Sequence, residues 1–348
     1  MGIKSLILFS LLFLSGLEAS EKYVGLFVNR DFRGELSFAY RIQFACRNIG
    51  WKADVIDIRK RGEFRDKKYD FVINLIPGAY KHAGCKNYLA IFHPLHHYFN
   101  KKGFLFRKYC SYDGYLLTYS PAALGKKRKS FANPRKYPFM SWYPTVQKQN
   151  AKAADPSSLF YICCSWGNRF EDEKFQNFLK RLDSEPYTRF YGSSIFQSAY
   201  PESYRGEIAY DDESLYEMAA NAGVALVLHS SDHNQHGIPS GRIFEAAAAS
   251  CIIISDRNAF VQNTFGDNVL YINTGEDAVS IFNQIRGHMN WIRENKLKAL
   301  EMAKKANQIF KENFLLEDQL LRLGEFHDRL THKPGSLFWT WLQSLGLS

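Results

Sequence analysis

The chain has 348 residues, of which 46% are hydrophobic and 23% charged, and its formal net charge at pH 7 is +10. This composition excludes an intrinsically disordered protein, because the chain can bury a substantial core. Aromatic residues make up 16% of the chain, which also favours packed structure. The length favours two domains of ordinary size over one.

The positive charge is concentrated in short basic runs in the first half of the chain, at 101–102, 107–108, 126–129 and 135–136. Such runs suit an anionic membrane surface or a polyanionic acceptor, and they are also consistent with a solvated face that has no specific partner. No zinc-finger, helix-turn-helix or RNA-recognition signature accompanies them, so we expect no nucleic-acid partner.

The N-terminal segment 1–20 resembles a signal peptide or membrane anchor. Lys4 precedes an apolar stretch over 5–14, which small residues follow. We expect export or membrane association through this segment, and otherwise a location at the cytoplasmic face of the membrane. The alternative is that the stretch forms a hydrophobic first strand or helix of a cytosolic enzyme.

Short apolar runs alternate with amphipathic ones from residue 22 onward, a pattern typical of β-α units on a parallel sheet. In the first half the pattern predicts strands at 23–28, 53–58, 69–75, 88–92 and 114–119. Helical spacing after the first strand completes a Rossmann-like domain over 21–150. The Lys- and Pro-rich section 121–157 is the predicted interdomain linker.

A second series of the same kind predicts a Rossmann-like domain over 151–330. Its strands are predicted at 159–163, 188–191, 224–228, 251–255 and 269–272. The tail 331–348 is aromatic and amphipathic; we expect it to pack across both domains, with a membrane-surface helix as the alternative. The six cysteines lack metal-binding spacing and are predicted to be core thiols.

The densest chemical signal is the stretch 226–256. A buried strand there ends in a polar loop, and Ser240 can cap a helix that begins at Gly241. The N–H groups and positive dipole end of such a helix form an anion site. Arg242 in the first turn adds positive charge for a diphosphate, and Glu245 could accept hydrogen bonds from the two hydroxyls of a ribose.

This stretch resembles the CgeB-like (spore maturation protein B) glycosyltransferases, which lie within the group 1 transferases of the GT-B class. The matching residues are 237–245, 251–256 and 265–271, with 161–169 and 191–192 upstream, and the resemblance covers roughly 158–330. It implies an α/β GT-B fold of two doubly wound Rossmann-like domains that face a central cleft, with a helical C-terminal tail. In that family the glutamate corresponding to Glu245 binds the ribose of the donor, and the preceding loop holds its diphosphate.

One departure from the family pattern affects the mechanism. Many retaining relatives carry two glutamates eight positions apart, and the earlier of these positions is Gly237 in this chain. We include Gly237 in the donor-binding loop, but the carboxylate near the sugar ring is missing. Retention or inversion at the sugar therefore stays open.

Further donor-side candidates are Gly167, Arg169 and His229. Gly167 and Arg169 could contact the diphosphate from a facing loop, or they form an ordinary turn with a surface arginine. His229 follows a strand and could bind phosphate or sugar. The loop spacing of His229, His233 and His236 does not favour a metal site, and GT-B enzymes need none, so we expect no metal or other cofactor. Arg242 and Glu245 could also simply pair with each other, three residues apart on one helix.

On the acceptor side, His93 and His96 follow a buried strand and so lie at the edge that faces the cleft. Either could act as a general base or bind the acceptor, because imidazole exchanges protons near neutral pH; structural histidines are the alternative. Arg30, Asp31 and Arg33, with Glu35, lie on the same edge and are acceptor-side candidates.

The sequence therefore predicts a metal-independent glycosyltransferase. It would transfer a sugar from a nucleotide-sugar to a glycan, lipid or protein acceptor, with His93, His96 and Arg242 as catalytic candidates. One alternative is a non-catalytic protein that binds a nucleotide-sugar or glycan on the same fold, which Gly237 and the signal-like segment favour. A nucleotide-sugar epimerase or a phosphorylase is a third reading.

Overall fold

The computed structural model describes residues 21–99, 108–118, 138–149, 155–163, 172–211 and 213–331. The predicted N-terminal segment 1–20 lies outside these ranges, as does the aromatic tail from residue 332. Among the described residues, no helix is both long enough and apolar enough to cross a membrane.

The first domain is built on a six-stranded sheet. Its strands, in chain order, are β1 Tyr23–Val28, β2 Lys52–Asp57, β3 Phe71–Asn74, β4 Lys86–Ile91, β5 Gly114–Leu117 and β6 Phe139–Ser141. They pair in the order β2-β1-β3-β4-β5-β6, and every pair is parallel. Within the described part of this domain, the helices α1 Arg33–Asn48 and α2 His96–Phe99 follow strands of the sheet.

The second domain has a five-stranded parallel sheet in the order β11-β10-β9-β7-β8. The strands are β7 Ser158–Ile162, β8 Thr188–Tyr191, β9 Gly223–Val227, β10 Ile252–Asp256 and β11 Leu270–Ile272. Its helices are α3 Glu173–Asp183, α4 Ser214–Ala222, α5 Ser231–His236, α6 Gly241–Ala248, α7 Ala259–Phe265, α8 Ala278–Glu294 and α9 Lys296–Asn313. The two sheets confirm the predicted α/β architecture of two Rossmann-like domains.

The strands form where they do because their apolar runs are buried on both faces. In β4 and β9, for example, nearly every residue is buried, as expected for parallel strands covered by helices on both sides. Each predicted strand is present with its ends shifted by at most two residues; the sequence predicts 69–75 where the structure has Phe71–Asn74. Strand β6 is not predicted, because it lies in the section assigned to the linker.

The last described helix, α10 Leu316–Thr331, packs against the first domain. Leu316, Leu320 and Leu323 are fully buried in the same core cluster as residues of α1, β1 and β3. Packing therefore assigns α10 to the N-terminal domain, whereas the sequence places residues up to 330 in the C-terminal one. The apolar periodicity of the sequence predicts the helix, but it does not predict which sheet the helix packs against.

The two segments that connect the domains lie side by side. The hydroxyl of Thr145 donates to the carbonyl of Phe314 over 2.7 Å, and the amide of Leu316 donates to the carbonyl of Val146 over 3.0 Å. A further contact comes from Ile238 in the loop before α6, which is fully buried in a cluster with residues of β4 and β5. The domains are thus joined by packing as well as by the chain.

Strand order reverses between β1 and β3 in the first sheet and between β7 and β9 in the second. In open parallel sheets, ligands bind at the carboxyl edge beside such a reversal. The residues that follow β4 and β9 contact each other across the domain interface, since the ring of His93 lies 3.3 Å from that of His233. The carboxyl edges of the two sheets therefore meet at one cleft.

Candidate functional site

The cleft contains a cavity of about 800 Å³, within the range of pockets that bind cofactors and drug-sized ligands. On the N-terminal side its lining includes Phe32, Glu35, Leu75, Phe92, His93 and His97. On the C-terminal side it includes His229, Asp232, His233, Ser240, Arg242 and Glu245. The cavity thus brings together predicted residues from both domains.

Helix α6 begins at this cavity with the predicted cap. The Ser240 hydroxyl oxygen accepts from the amide of Arg242 over 3.3 Å, and the N–H groups of a first helical turn lack partners within the helix. At Gly241, a Cβ atom would lie 2.9 Å from the carbonyl oxygen of Pro144. Glycine therefore lets the interdomain segment run directly over the start of the helix.

Glu245 lies one turn into α6 and is held by two arginines. Its Oε2 accepts from Nη1 of Arg242 over 2.6 Å, and its Oε1 lies 2.6 Å from Nη1 of Arg41 on helix α1. Only 4% of Glu245 and 8% of Arg41 is exposed, so the second contact is a buried ion pair between the two domains. Burial alone would raise the pKa of Glu245, but Arg242 and Arg41 together hold it below its ordinary value.

This triad confirms the pairing of Arg242 with Glu245 that helical spacing suggests. The pairing does not exclude a ligand, because each carboxylate oxygen has two acceptor sites. More than a third of the Arg242 side chain is exposed and it lines the cavity. Arg242 therefore remains accessible to an anion.

His229 and Asp256 form a second buried pair on the C-terminal side of the cavity. Nδ1 of His229 lies 2.6 Å from Oδ1 of Asp256, and the backbone amide of His229 also donates to that carboxylate. Asn234 donates to Oδ2 over 2.7 Å. Burial alone would raise the pKa of Asp256, but these hydrogen bonds, led by that from His229, bring it below its ordinary value.

Three histidines and an aspartate meet at the domain interface beside the cavity. Nδ1 of His93 lies 3.3 Å from Nε2 of His233, and Nε2 of His97 lies 2.6 Å from Oδ2 of Asp232. Burial lowers the pKa of His93, with the neighbouring His97 acting in the same direction and Asp232 opposing both. The structure therefore places His93 in the cleft with its neutral form favoured.

The acceptor-side candidates are distributed differently. Asp31 accepts from Arg59 over 2.7 Å, and Arg33 donates to Glu207 of the C-terminal domain over 3.0 Å. Arg30 is exposed, and the cavity lining does not include Arg30, Asp31 or Arg33. The loop does reach the cavity through Glu35, whose pKa is raised by burial.

Gly237 ends helix α5 with a φ of 62°. This left-handed conformation is costly for residues other than glycine and accounts for a glycine at this position. Gly167 and Arg169 lie outside the described residues, as does the side chain of His96. Among the described residues, no group of three or more His, Cys, Asp or Glu side chains is arranged to hold a metal ion.

The sequence does not single out several residues of this site, among them Arg41, Asp256 and His97. Arg41 lies in the middle of α1 among apolar residues. Only the tertiary structure shows that it faces α6 and pairs with Glu245. Asp256 is the last residue of β10, one residue beyond the predicted end of this strand. An acidic residue at the carboxyl end of a parallel strand could have indicated a ligand site. His97 adjoins the predicted histidines, so their cluster could have included it.

Residues 169–323 match a family model described as glycosyl transferase-like. This range contains β9, α6, β10 and the Ser240–Glu245 stretch that lines the cavity. No curated protein sequence is significantly similar to the chain.

Several solved structures share the fold. Pneumococcal O-GlcNAc transferase GtfA, solved with UDP and GlcNAc, has a TM-score of 0.52 and 15% sequence identity. The match covers 76% of this chain but only 57% of the GtfA chain. Sucrose-phosphate synthase from Thermosynechococcus elongatus has a TM-score of 0.55 and 11% identity over 89% of this chain and 99% of its own. Anabaena HepE, solved with UDP, has a TM-score of 0.52 and 10% identity over 88% and 99%. At these identities the similarity is one of fold; the chain therefore has the α/β GT-B fold, and its residues 169–323 are similar to a glycosyl transferase-like family.

Proposed function

We propose that the protein is a metal-independent glycosyltransferase, which transfers a sugar from a nucleotide-sugar to an acceptor hydroxyl. One observation carries the proposal: the interdomain cavity lies at the capped start of α6, with Arg242 and the buried Glu245 on its wall. The same stretch lies within the glycosyl transferase-like match. Within the glycosyltransferases, we propose that it is one of the CgeB-like transferases that its residues 237–256 resemble.

The donor binds on the C-terminal side of the cavity. Its diphosphate lies at the N-terminus of α6, where N–H groups and the guanidinium of Arg242 supply positive charge. Glu245 accepts hydrogen bonds from the ribose while it keeps its two arginines. The complexes of the pneumococcal and Anabaena structures with UDP support a nucleotide as the ligand of this fold.

Catalysis depends on charge that develops on the leaving diphosphate. Arg242 and the α6 dipole stabilise it in place of a metal ion, since fixed positive groups aimed at developing charge lower the barrier. His93, at the domain interface and neutral, is the candidate to receive the proton of the acceptor hydroxyl.

The acceptor is a glycan, lipid or protein that binds on the N-terminal side. The basic runs of the first half suit a location at an anionic membrane surface, to which the segment 1–20 would direct or anchor the chain. A non-catalytic protein that binds a nucleotide-sugar is the second candidate. It is favoured by Gly237, which stands where many retaining relatives carry a glutamate near the sugar ring.

A thermal-shift panel of UDP, GDP, ADP and CMP and their sugar derivatives tests the donor site. We expect at least one nucleotide to raise the melting temperature, because a ligand that binds only the folded state stabilises it. Glu245→Ala should abolish the shift, whereas Glu301→Ala, at an exposed pair with Lys305 on α9, should retain it. If no nucleotide shifts the wild-type melting temperature at millimolar concentration, the donor-site assignment is wrong.

A further inference from the structure

The pair formed by His229 and Asp256 leaves one polar atom of the site unused. The imidazole of His229 is fully buried, and its Nε2 has no hydrogen-bond partner among the described residues. A buried polar atom without a partner costs free energy and is uncommon in folded proteins. His229 lines the interdomain cavity, so a ligand there can supply the missing partner.

Asp256 determines which hydrogen-bonding role Nε2 takes. The carboxylate accepts from the backbone amide of His229 and from Asn234, which favours its ionised form. An ionised carboxylate only accepts hydrogen bonds, so Nδ1 of His229 carries the proton that points to Oδ1. In the neutral ring, Nε2 is then left with a lone pair directed away from Asp256.

We propose that Nε2 of His229 accepts a hydrogen bond from a hydroxyl of the donor sugar, and that Asp256 is the positioning residue that fixes its tautomer and orientation. The inference rests on the proposed function. A phosphate oxygen is a poor partner, because it offers a second lone pair, whereas a sugar hydroxyl donates a proton. His229 follows β9 on the same side of the cavity as Ser240 and Arg242, which favours the donor sugar over the acceptor.

The same contacts could simply hold the loop after β9 in place. Asn234 bonds to Asp256 and also to Asn258, whose side chain donates to the carbonyl of Ile238. Asn234→Ala is therefore a matched control. It removes a hydrogen bond to the same carboxylate but leaves the contact between Asp256 and Nδ1 of His229 intact.

Titration calorimetry with UDP and UDP-glucose tests the contact with the sugar. We expect Asp256→Asn to weaken binding of UDP-glucose by roughly tenfold, the effect of one lost hydrogen bond, and to change that of UDP by less than about threefold. Asn234→Ala should change both affinities by the same factor. If Asp256→Asn fails to fold, His229→Gln gives the same comparison. Equal losses for UDP and UDP-glucose in these variants would overturn the proposal.

The tautomer of His229 is measured without any ligand, which separates this proposal from the proposed function. Nitrogen-15 spectra of protein labelled in histidine, with His229 assigned by its loss in His229→Gln, should show a protonated Nδ1 and an unprotonated Nε2 at pH 8. Asp256→Asn should alter this signature and Asn234→Ala should not. A protonated Nε2 in the wild type would contradict the proposal, whether or not a nucleotide binds.

Discussion

Replacement of Arg41 by methionine should destabilise the protein far more than the same change at Arg242. Both arginines pair with Glu245, but their surroundings differ. The Arg41 side chain is 10% exposed and crosses the domain interface, whereas that of Arg242 is 38% exposed. Loss of Arg41 therefore leaves the buried Glu245 with only a partly exposed partner, whereas loss of Arg242 leaves it with a buried one.

The expected sizes follow from this difference in exposure. Breaking a buried ion pair from one side costs about 3 kcal/mol, because the remaining charge stays buried, and a partly exposed pair contributes about 1 kcal/mol or less. For domains of this size, 1 kcal/mol shifts the melting temperature by about 2–4 °C. We expect Arg41→Met to lower it by about 6–12 °C and Arg242→Met by no more than about 4 °C.

Differential scanning calorimetry on Arg41→Met, Arg242→Met and Glu245→Leu, and on Arg41→Met combined with Glu245→Leu, provides the check. If the loss comes from a buried Glu245 that has lost its buried partner, removal of Glu245 as well should restore at least half of it. Equal losses at Arg41 and Arg242, or a double variant that is the sum of its singles, would refute the buried ion pair.

Two further predictions follow from packing and from burial. Gly241→Ala should lower the free energy of unfolding by about 1–3 kcal/mol and weaken nucleotide binding, because its Cβ would press on the carbonyl of Pro144. Gly287→Ala, with open space around the added Cβ in helix α8, should instead raise the free energy of unfolding by about 0.5–1 kcal/mol. A destabilised Gly287→Ala in urea unfolding would contradict this. The pKa of His93 is lowered by burial, so the unfolded chain takes up its proton at a higher pH, and stability is lost as pH falls from about 6.5 toward the folded value. His93→Gln should therefore show a smaller fall in melting temperature between pH 7 and 5 than the wild type, and an equal fall would exclude His93 as a cause.

The fold could be predicted from the sequence because its strands are continuous apolar runs separated by amphipathic helices. Domain membership at the C-terminus could not, since the apolar face of α10 would fit either sheet, and Leu320 packs on the first one. Strand β6 could not be predicted either, because it lies in a segment rich in Lys and Pro and its three residues are only half-buried.

The site was predictable where one local stretch carries its chemistry. Ser240, Arg242 and Glu245 lie within six residues. One short stretch of sequence therefore shows the helix cap, the positive charge and the carboxylate of the site. Arg41 and Asp256 act through contacts with residues that are distant in sequence, Glu245 and His229. No local sequence pattern predicts such a contact, because the two residues are brought together only by the tertiary fold.

Release of nucleoside diphosphate from a nucleotide-sugar tests the central claim most directly. We expect turnover of at least one donor in the presence of EDTA. We also expect a fall of about a hundredfold in kcat for Arg242→Ala, since one lost charged contact to the leaving group is worth on the order of 3 kcal/mol. Arg242→Lys should rescue little of it, because an ammonium cannot hold two phosphate oxygens at once. Folded protein that binds a nucleotide-sugar without releasing the diphosphate, with or without acceptors, would contradict the enzyme and favour a binding protein.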